Sequence, residues 1–210
     1  MGSARLAICT GAVTLALVLS GLCLDARAAS LTPCDKAVRF TAAWFAEPEL
    51  DNTKTAAELT KLGAKLQGTG AQLGHVMVET KLAVVPQESC SGFVVRLEFF
   101  KPVLRVASEF SPGTCAYARV LNHEQTHVRI YRDVAHQFRA LDYPWAPGAA
   151  TASILAYAQL ELERLLQAQV LFDSPEEYAK NVTVCGGEIL RLVKPAGPPY
   201  ITTPNRISAL

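Results

Sequence analysis

Two long stretches in the second half of the chain have the spacing of amphipathic helices, and they constrain the fold more than any other feature. The first runs from about Pro112 to Ala140, with Ser111 as an N-cap and Pro112 at the first helical position. A proline-rich break at 142–148 follows, and a second helical stretch covers 150–172. Because the connection is short, we expect the two helices to lie antiparallel.

The residues before these helices alternate as β-strands do. Apolar and polar side chains alternate over 76–82 and again over 93–99, which is the period of a half-buried strand. A third strand is predicted over 102–110, where the leading proline indicates an edge or a bulge. A capping box at 55–58 predicts a short helix ahead of the strands. This order of elements predicts a segregated α+β fold.

The first long helical stretch contains His123, Glu124 and His127 as H-E-x-x-H. Histidines four residues apart on a helix project from one face and can bind one metal ion. Zinc accepts imidazole nitrogens at about 2.0–2.1 Å, and a catalytic zinc site keeps one position open for water. Glu124 is placed to accept a proton from that water. Since the chain has four histidines, a chance match is expected on the order of one time in 200.

A catalytic zinc site needs a third protein ligand, and helix geometry predicts its position. No H-x-x-G-x-x-H continuation follows the motif, because residues 130–137 read IYRDVAHQ. In an antiparallel pair, residues equally far from the connection lie level, which places residue 162 opposite His127. Glu161 lies near that level on an apolar face, where a carboxylate needs a partner. We predict Glu161 as the third ligand, and the alternative is a partly exposed glutamate near Arg164.

The ends of the chain predict an exported protein. Arg5, an apolar run over 6–24 and a small-x-small pattern at 26–28 are typical of a signal peptide. We therefore predict a cleaved signal over 1–28, one domain over 29–193, a proline-rich tail over 194–210 and a periplasmic or secreted location. An uncleaved run would instead anchor the chain in a membrane. The formal net charge of +1 does not indicate a nucleic-acid partner.

Four cysteines follow the predicted signal, namely Cys34, Cys90, Cys115 and Cys185. An even number in an exported chain predicts two disulfides, in one of three connectivities. Cys90 precedes a predicted strand and Cys115 lies in the first turn of the H-E-x-x-H helix. We predict that these two pair, tying the sheet to the helix and leaving Cys34 for Cys185. Free buried thiols are the alternative.

The segments HEQTH at 123–127 and QVLFD at 169–173 together resemble a bacterial family of predicted secreted zinc-dependent proteases, domain of unknown function 922. The family pattern has H-E-x-x-H on one helix and Q-x-x-Y-D-x-x-T-x-H-G at the end of the next, with a cysteine upstream. The match ends after the aspartate, because the family's final histidine falls at Tyr178. If that histidine is the family's third ligand, the resemblance implies that Tyr178, Glu177 or Asp173 replaces it here.

Together the motif and the resemblance predict a zincin-like fold, in which an antiparallel sheet packs on the H-E-x-x-H helix and a second antiparallel helix. The expected function is a zinc metallopeptidase with Zn²⁺ bound by His123, His127 and Glu161 and with Glu124 as the general base. A peptide, a protein or another amide is the expected substrate, bound along the strand near 103–107. The alternative is an exported binding or structural domain whose metal site is inactive or absent.

Overall fold

The computed structural model describes residues 33–44, 47–63, 71–144 and 149–193. The strands are β1 (Pro33–Trp44), β2 (Glu49–Asp51), β3 (Gly74–Pro86) and β4 (Ser91–Val106). The helices are α1 (Ala56–Gly63), α2 (Cys115–Arg139), α3 (Thr151–Phe172), α4 (Pro175–Thr183) and α5 (Glu188–Leu192), with a 3-10 turn at Val184–Gly187 before α5. The predicted signal peptide and C-terminal tail lie outside the described residues. No helix in the described part of the chain is long and apolar enough to cross a membrane.

β4 is the central strand of a mixed four-stranded sheet. β3 pairs with it antiparallel along one edge. Along the other edge, β1 pairs in parallel with the first part of β4 and β2 pairs in parallel with the last part. The predicted antiparallel sheet is therefore correct only for β3 and β4. The parallel strands gave little signal in the sequence, because β1 alternates in burial only around 38–40 and β2 has three residues.

The two strands predicted over 93–99 and 102–110 are one long strand with a bulge. Lys101 has a φ of 48°, and the register between β3 and β4 shifts at this point. Pro102, which has no N–H to donate, follows directly, so the bulge predicted from this proline is confirmed. The predicted substrate strand near 103–107 pairs with β2 on one side and with β3 on the other. Since both of its edges are used, this part of β4 has no edge left for a substrate.

α2 and α3 pack together on the sheet, and their bounds agree with the helices predicted from the sequence. α2 contacts β1, β3 and β4, and α3 contacts α2, β3 and β4. The N-cap of α2 is Thr114 rather than Ser111, because the Thr114 hydroxyl accepts a hydrogen bond from the backbone N–H of Tyr117. The short helix α1 begins at the predicted capping box, where Thr55 and Glu58 bond each other's backbone N–H groups.

All four described cysteines form disulfides, but the predicted pairing is wrong. The bonds are Cys34–Cys90, with the Cα atoms 5.1 Å apart, and Cys115–Cys185, with the Cα atoms 5.6 Å apart. The parallel pairing of β1 with β4 brings Cys34 beside the start of β4. The segment after α4 returns to the first turn of α2, which brings Cys185 to Cys115. Two disulfides are typical of oxidising compartments, and they fit the predicted export.

Candidate metal centre

Three side chains from two helices converge on one point. His123 and His127 project from α2, and their Nε2 atoms lie 3.2 Å apart. Asp173 lies directly after α3, and its Oδ1 atom is 3.1 Å from Nε2 of His123 and 3.0 Å from Nε2 of His127. This group of one carboxylate and two imidazoles could hold a metal ion. The motif thus brings together the two histidines that the sequence predicted.

The spacing of these three atoms fits a small tetrahedral metal ion. Ligand atoms around a tetrahedral zinc ion with bonds of about 2.0–2.2 Å lie about 3.3–3.6 Å apart. The observed separations of 3.0–3.2 Å are only slightly shorter. Two imidazoles and one carboxylate are also a common donor set for a catalytic zinc site, which leaves the fourth position open.

Asp173 occupies an unusual position for an acidic residue. It is the C-cap of α3, where the helix dipole disfavours negative charge. It is also 9% exposed and, with Glu124, one of two buried charged or polar residues in the described part of the chain. Burial alone would raise the pKa of Asp173, but hydrogen bonds with His123 and His127 hold the pKa well below its usual range. The two histidines therefore stabilise the negative charge of Asp173, whereas its position at the end of α3 destabilises it.

Glu161, the predicted third ligand, is not part of this group. Its carboxylate accepts a hydrogen bond of 2.9 Å from Nε of Arg164 and forms an ion pair with that side chain. This agrees with the alternative given for Glu161, a partly exposed glutamate near Arg164. The prediction assumed that the helices are level at their connection. In the structure His127 lies twelve residues before the end of α2, whereas its contact Gln169 lies eighteen residues after the start of α3. This offset of about six residues moves the point on α3 opposite His127 about 9 Å along that helix.

Glu177 and Tyr178, two of the three alternatives from the resemblance, lie beside the centre but not at its ligand point. Oε1 of Glu177 is 3.7 Å from Nδ1 of His123, on the opposite side of the ring from Nε2. Glu177 also forms ion pairs with Arg119 and Lys180. Burial of Tyr178 near the Asp173 carboxylate raises the pKa of its hydroxyl well above its usual range. The phenol thus stays protonated and can donate to Asp173.

Glu124 lies buried beside the histidines and contacts the start of β3. Burial raises the pKa of Glu124 to about 7, although the nearby histidines lower it. A Cβ atom at Gly74 would lie 2.5 Å from Oε1 of Glu124, so only glycine leaves room for this carboxylate. The sheet and the H-E-x-x-H helix are therefore fitted to each other at the predicted general base.

The imidazole rings are held by aromatic and polar neighbours. Phe172 stacks on His123 with ring centroids 4.7 Å apart and meets His127 edge-on at 5.1 Å. Gln169, which sequence reasoning did not single out as a site residue, contacts Nδ1 of His127. Its signal was its place in QVLFD, since it lies four residues before Asp173 and thus on the same face of α3.

Two acidic neighbours, Asp173 and Glu124, determine the pKa of His127. Burial alone would lower the pKa of His127, but its hydrogen bond to Asp173 and the nearby Glu124 carboxylate raise the pKa to about 9. A metal ion that binds His127 must therefore displace a proton from it at neutral pH.

Comparisons of the chain with protein-family models, with curated proteins and with solved structures find no match. The resemblance drawn from HEQTH and QVLFD therefore stays a prediction. The function proposed below is therefore inferred from the geometry of the group formed by His123, His127 and Asp173.

Proposed function

We propose that the protein is a secreted or periplasmic zinc metallopeptidase that hydrolyses peptide bonds or other amides. The observation that carries this proposal is the convergence of Nε2 of His123, Nε2 of His127 and Oδ1 of Asp173 within 3.0–3.2 Å, with buried Glu124 beside them. These residues supply three ligands and a separate base, which are the parts that hydrolysis at a zinc site requires. Asp173 takes the ligand position that the sequence assigned to Glu161.

Each side chain has a distinct task in this reaction. A bound zinc ion would supply Lewis-acid polarisation of a water molecule and of the substrate carbonyl. Glu124 accepts a proton from the attacking water and delivers it to the leaving amine. A carboxyl whose pKa burial raises to about 7 suits this exchange near neutral pH. The Tyr178 hydroxyl, which its raised pKa keeps protonated beside Asp173, can donate to that carboxylate and direct it at the histidines.

The finer fold proposal is a zincin-like arrangement in which a strand beside the H-E-x-x-H helix receives the substrate. β3 is the strand whose first residue, Gly74, contacts Glu124. Its pairing in the described structure is with β4 along one edge. An extended peptide added along the other edge of β3 would carry its backbone past the base. In this proposal β3, rather than the predicted strand near 103–107, binds the substrate.

A second candidate function is a non-catalytic exported domain in which the same residues form a structural ion pair. The observation that favours it is the hydrogen bonding of one Asp173 oxygen to both histidines, with the pKa of His127 raised to about 9. A protonated His127 paired with Asp173 would stabilise the α2–α3 contact without any metal. Zinc content distinguishes this reading from the enzyme.

The test uses two variants of the full chain and a library of unstructured peptides. Glu124→Gln keeps the size of the side chain but removes the base, so we expect it to retain about one zinc per chain and to lose hydrolysis. His123→Ala with His127→Ala should lose both zinc and hydrolysis. Hydrolysis by Glu124→Gln at the wild-type rate would contradict the role of Glu124. A zinc-free and stable wild type that cleaves nothing would favour the structural ion pair.

A further inference from the structure

The imidazole of His127 is held at both of its ring nitrogens. Nε2 faces the ligand point, where it lies 3.0 Å from Oδ1 of Asp173. On the other side of the ring, Nδ1 lies 2.6 Å from Oε1 of Gln169. The amide of Gln169 can be oriented in only one way here, because its Nε2 donates to the backbone carbonyl of His127 at 3.1 Å. The amide oxygen therefore faces the ring.

This orientation of Gln169 determines which nitrogen of His127 carries the proton. An amide oxygen only accepts hydrogen bonds, so Nδ1 of His127 must carry the hydrogen. In the neutral ring the lone pair then lies on Nε2, which points at the ligand point. Gln169 thus selects the tautomer that a metal ion needs, and its second hydrogen bond keeps its own side chain in place.

Among the residues that the structure describes, no side chain holds Nδ1 of His123 in the same way, so Gln169 acts on one histidine only. The carboxylate near Nδ1 of His123 is that of Glu177, at 3.7 Å, a separation too long for a hydrogen bond. Gln169 and Asp173 are four residues apart at the end of α3, so one turn of helix supplies both a ligand and the residue that orients a second ligand. Both side chains face α2 from the same side.

We propose that Gln169 is a positioning residue that holds His127 in the Nδ1–H tautomer with Nε2 free to bind zinc. This inference rests on the proposed function and deepens it. Residues that orient metal-ligating histidines in this way typically change metal affinity by about 10–100-fold when they are removed. The neutral amide adds no negative charge to a centre that already contains the carboxylates of Asp173 and Glu124.

The test compares three variants of the full chain by zinc titration in competition with a chromogenic chelator. Gln169→Leu removes both hydrogen bonds, and we expect zinc binding about 10–100-fold weaker than in the wild type. Gln169→Glu keeps the acceptor for Nδ1 but loses the donor to the backbone carbonyl, and it should bind zinc more tightly than Gln169→Leu. Gln167→Leu, an exposed position on α3, is the matched control and should bind zinc normally.

The outcomes separate positioning from a merely structural tie between α2 and α3. If the tie through the His127 carbonyl were the role of Gln169, Gln169→Glu would lose as much affinity as Gln169→Leu, and the proposal would be overturned. Wild-type affinity in Gln169→Leu would overturn it as well. Nitrogen-15 shifts of His127 in the zinc-loaded wild type should show a protonated Nδ1. A wild type that binds no zinc would overturn the proposed function, which is a different and distinguishable failure.

Discussion

Replacing Gly74 by alanine should displace Glu124, the proposed general base, without touching His123, His127 or Asp173, the proposed zinc ligands. The added Cβ would lie 2.5 Å from Oε1, 2.6 Å from Cγ and 2.7 Å from Cδ of Glu124. Non-bonded heavy atoms prefer separations of about 3.5 Å, so the carboxylate must move by about 1 Å. A displacement of this size at a catalytic group costs about 100-fold in rate. Crowding in a packed site should also cost about 1–3 kcal/mol of stability.

The assay measures kcat and KM of Gly74→Ala on the most readily cleaved peptide, together with zinc content and the free energy of unfolding. We expect kcat to fall about 100-fold, as for a misplaced group, while zinc content stays at the wild-type level. Gly113→Ala is the control, because a Cβ atom there meets nothing within 4 Å and only its φ of 87° is unfavourable. This control should lose stability but not activity. A Gly74→Ala variant with wild-type kcat would refute the fit between β3 and Glu124.

Two further predictions concern the disulfides and the stability of the fold. Removing the Cys115–Cys185 bond by two alanine substitutions should cost about 2–4 kcal/mol in denaturant unfolding. It should also weaken zinc binding more than removal of Cys34–Cys90, which lies at the opposite end of β4. Hydrogen bonds from Thr53 and the Arg105 guanidinium lower the pKa of Asp51 to about 2, so its stabilisation is present above about pH 4 and is lost as the pH falls towards 2. The stability difference between wild type and Asp51→Asn should shrink over that range, and a constant difference would contradict this.

The sequence predicted the parts of the fold whose patterns are local. H-E-x-x-H predicted that His123, Glu124 and His127 lie together, because one helix carries all three residues. The bounds of α2 and α3 followed from a helical period that breaks at prolines. The capping box and the bulge at Pro102 were predicted because each depends on neighbouring residues.

The errors arose where two distant segments had to be placed relative to each other. Glu161 was chosen by assuming level helices, and the offset between α2 and α3 depends on side-chain packing that no local pattern reports. The predicted disulfide pairing was wrong because the observed Cys34–Cys90 bond depends on the parallel contact of β1 with β4. This contact was not predicted, since β1 has little alternation. Asp173 has a local signal in the sequence, since it is the last residue of QVLFD and an acid at a helix C-terminus needs a partner.

The measurement that tests the central claim most directly is the zinc content of two carboxylate variants of the full chain. Elemental analysis after purification without chelators should find about one zinc per chain in the wild type and in Glu161→Ala, because Glu161 pairs with Arg164 and lies outside the ligand group. Asp173→Ala removes a ligand and should lose the metal while the chain stays folded. Zinc retained by Asp173→Ala at the wild-type level, or lost by Glu161→Ala, would contradict a centre built from His123, His127 and Asp173.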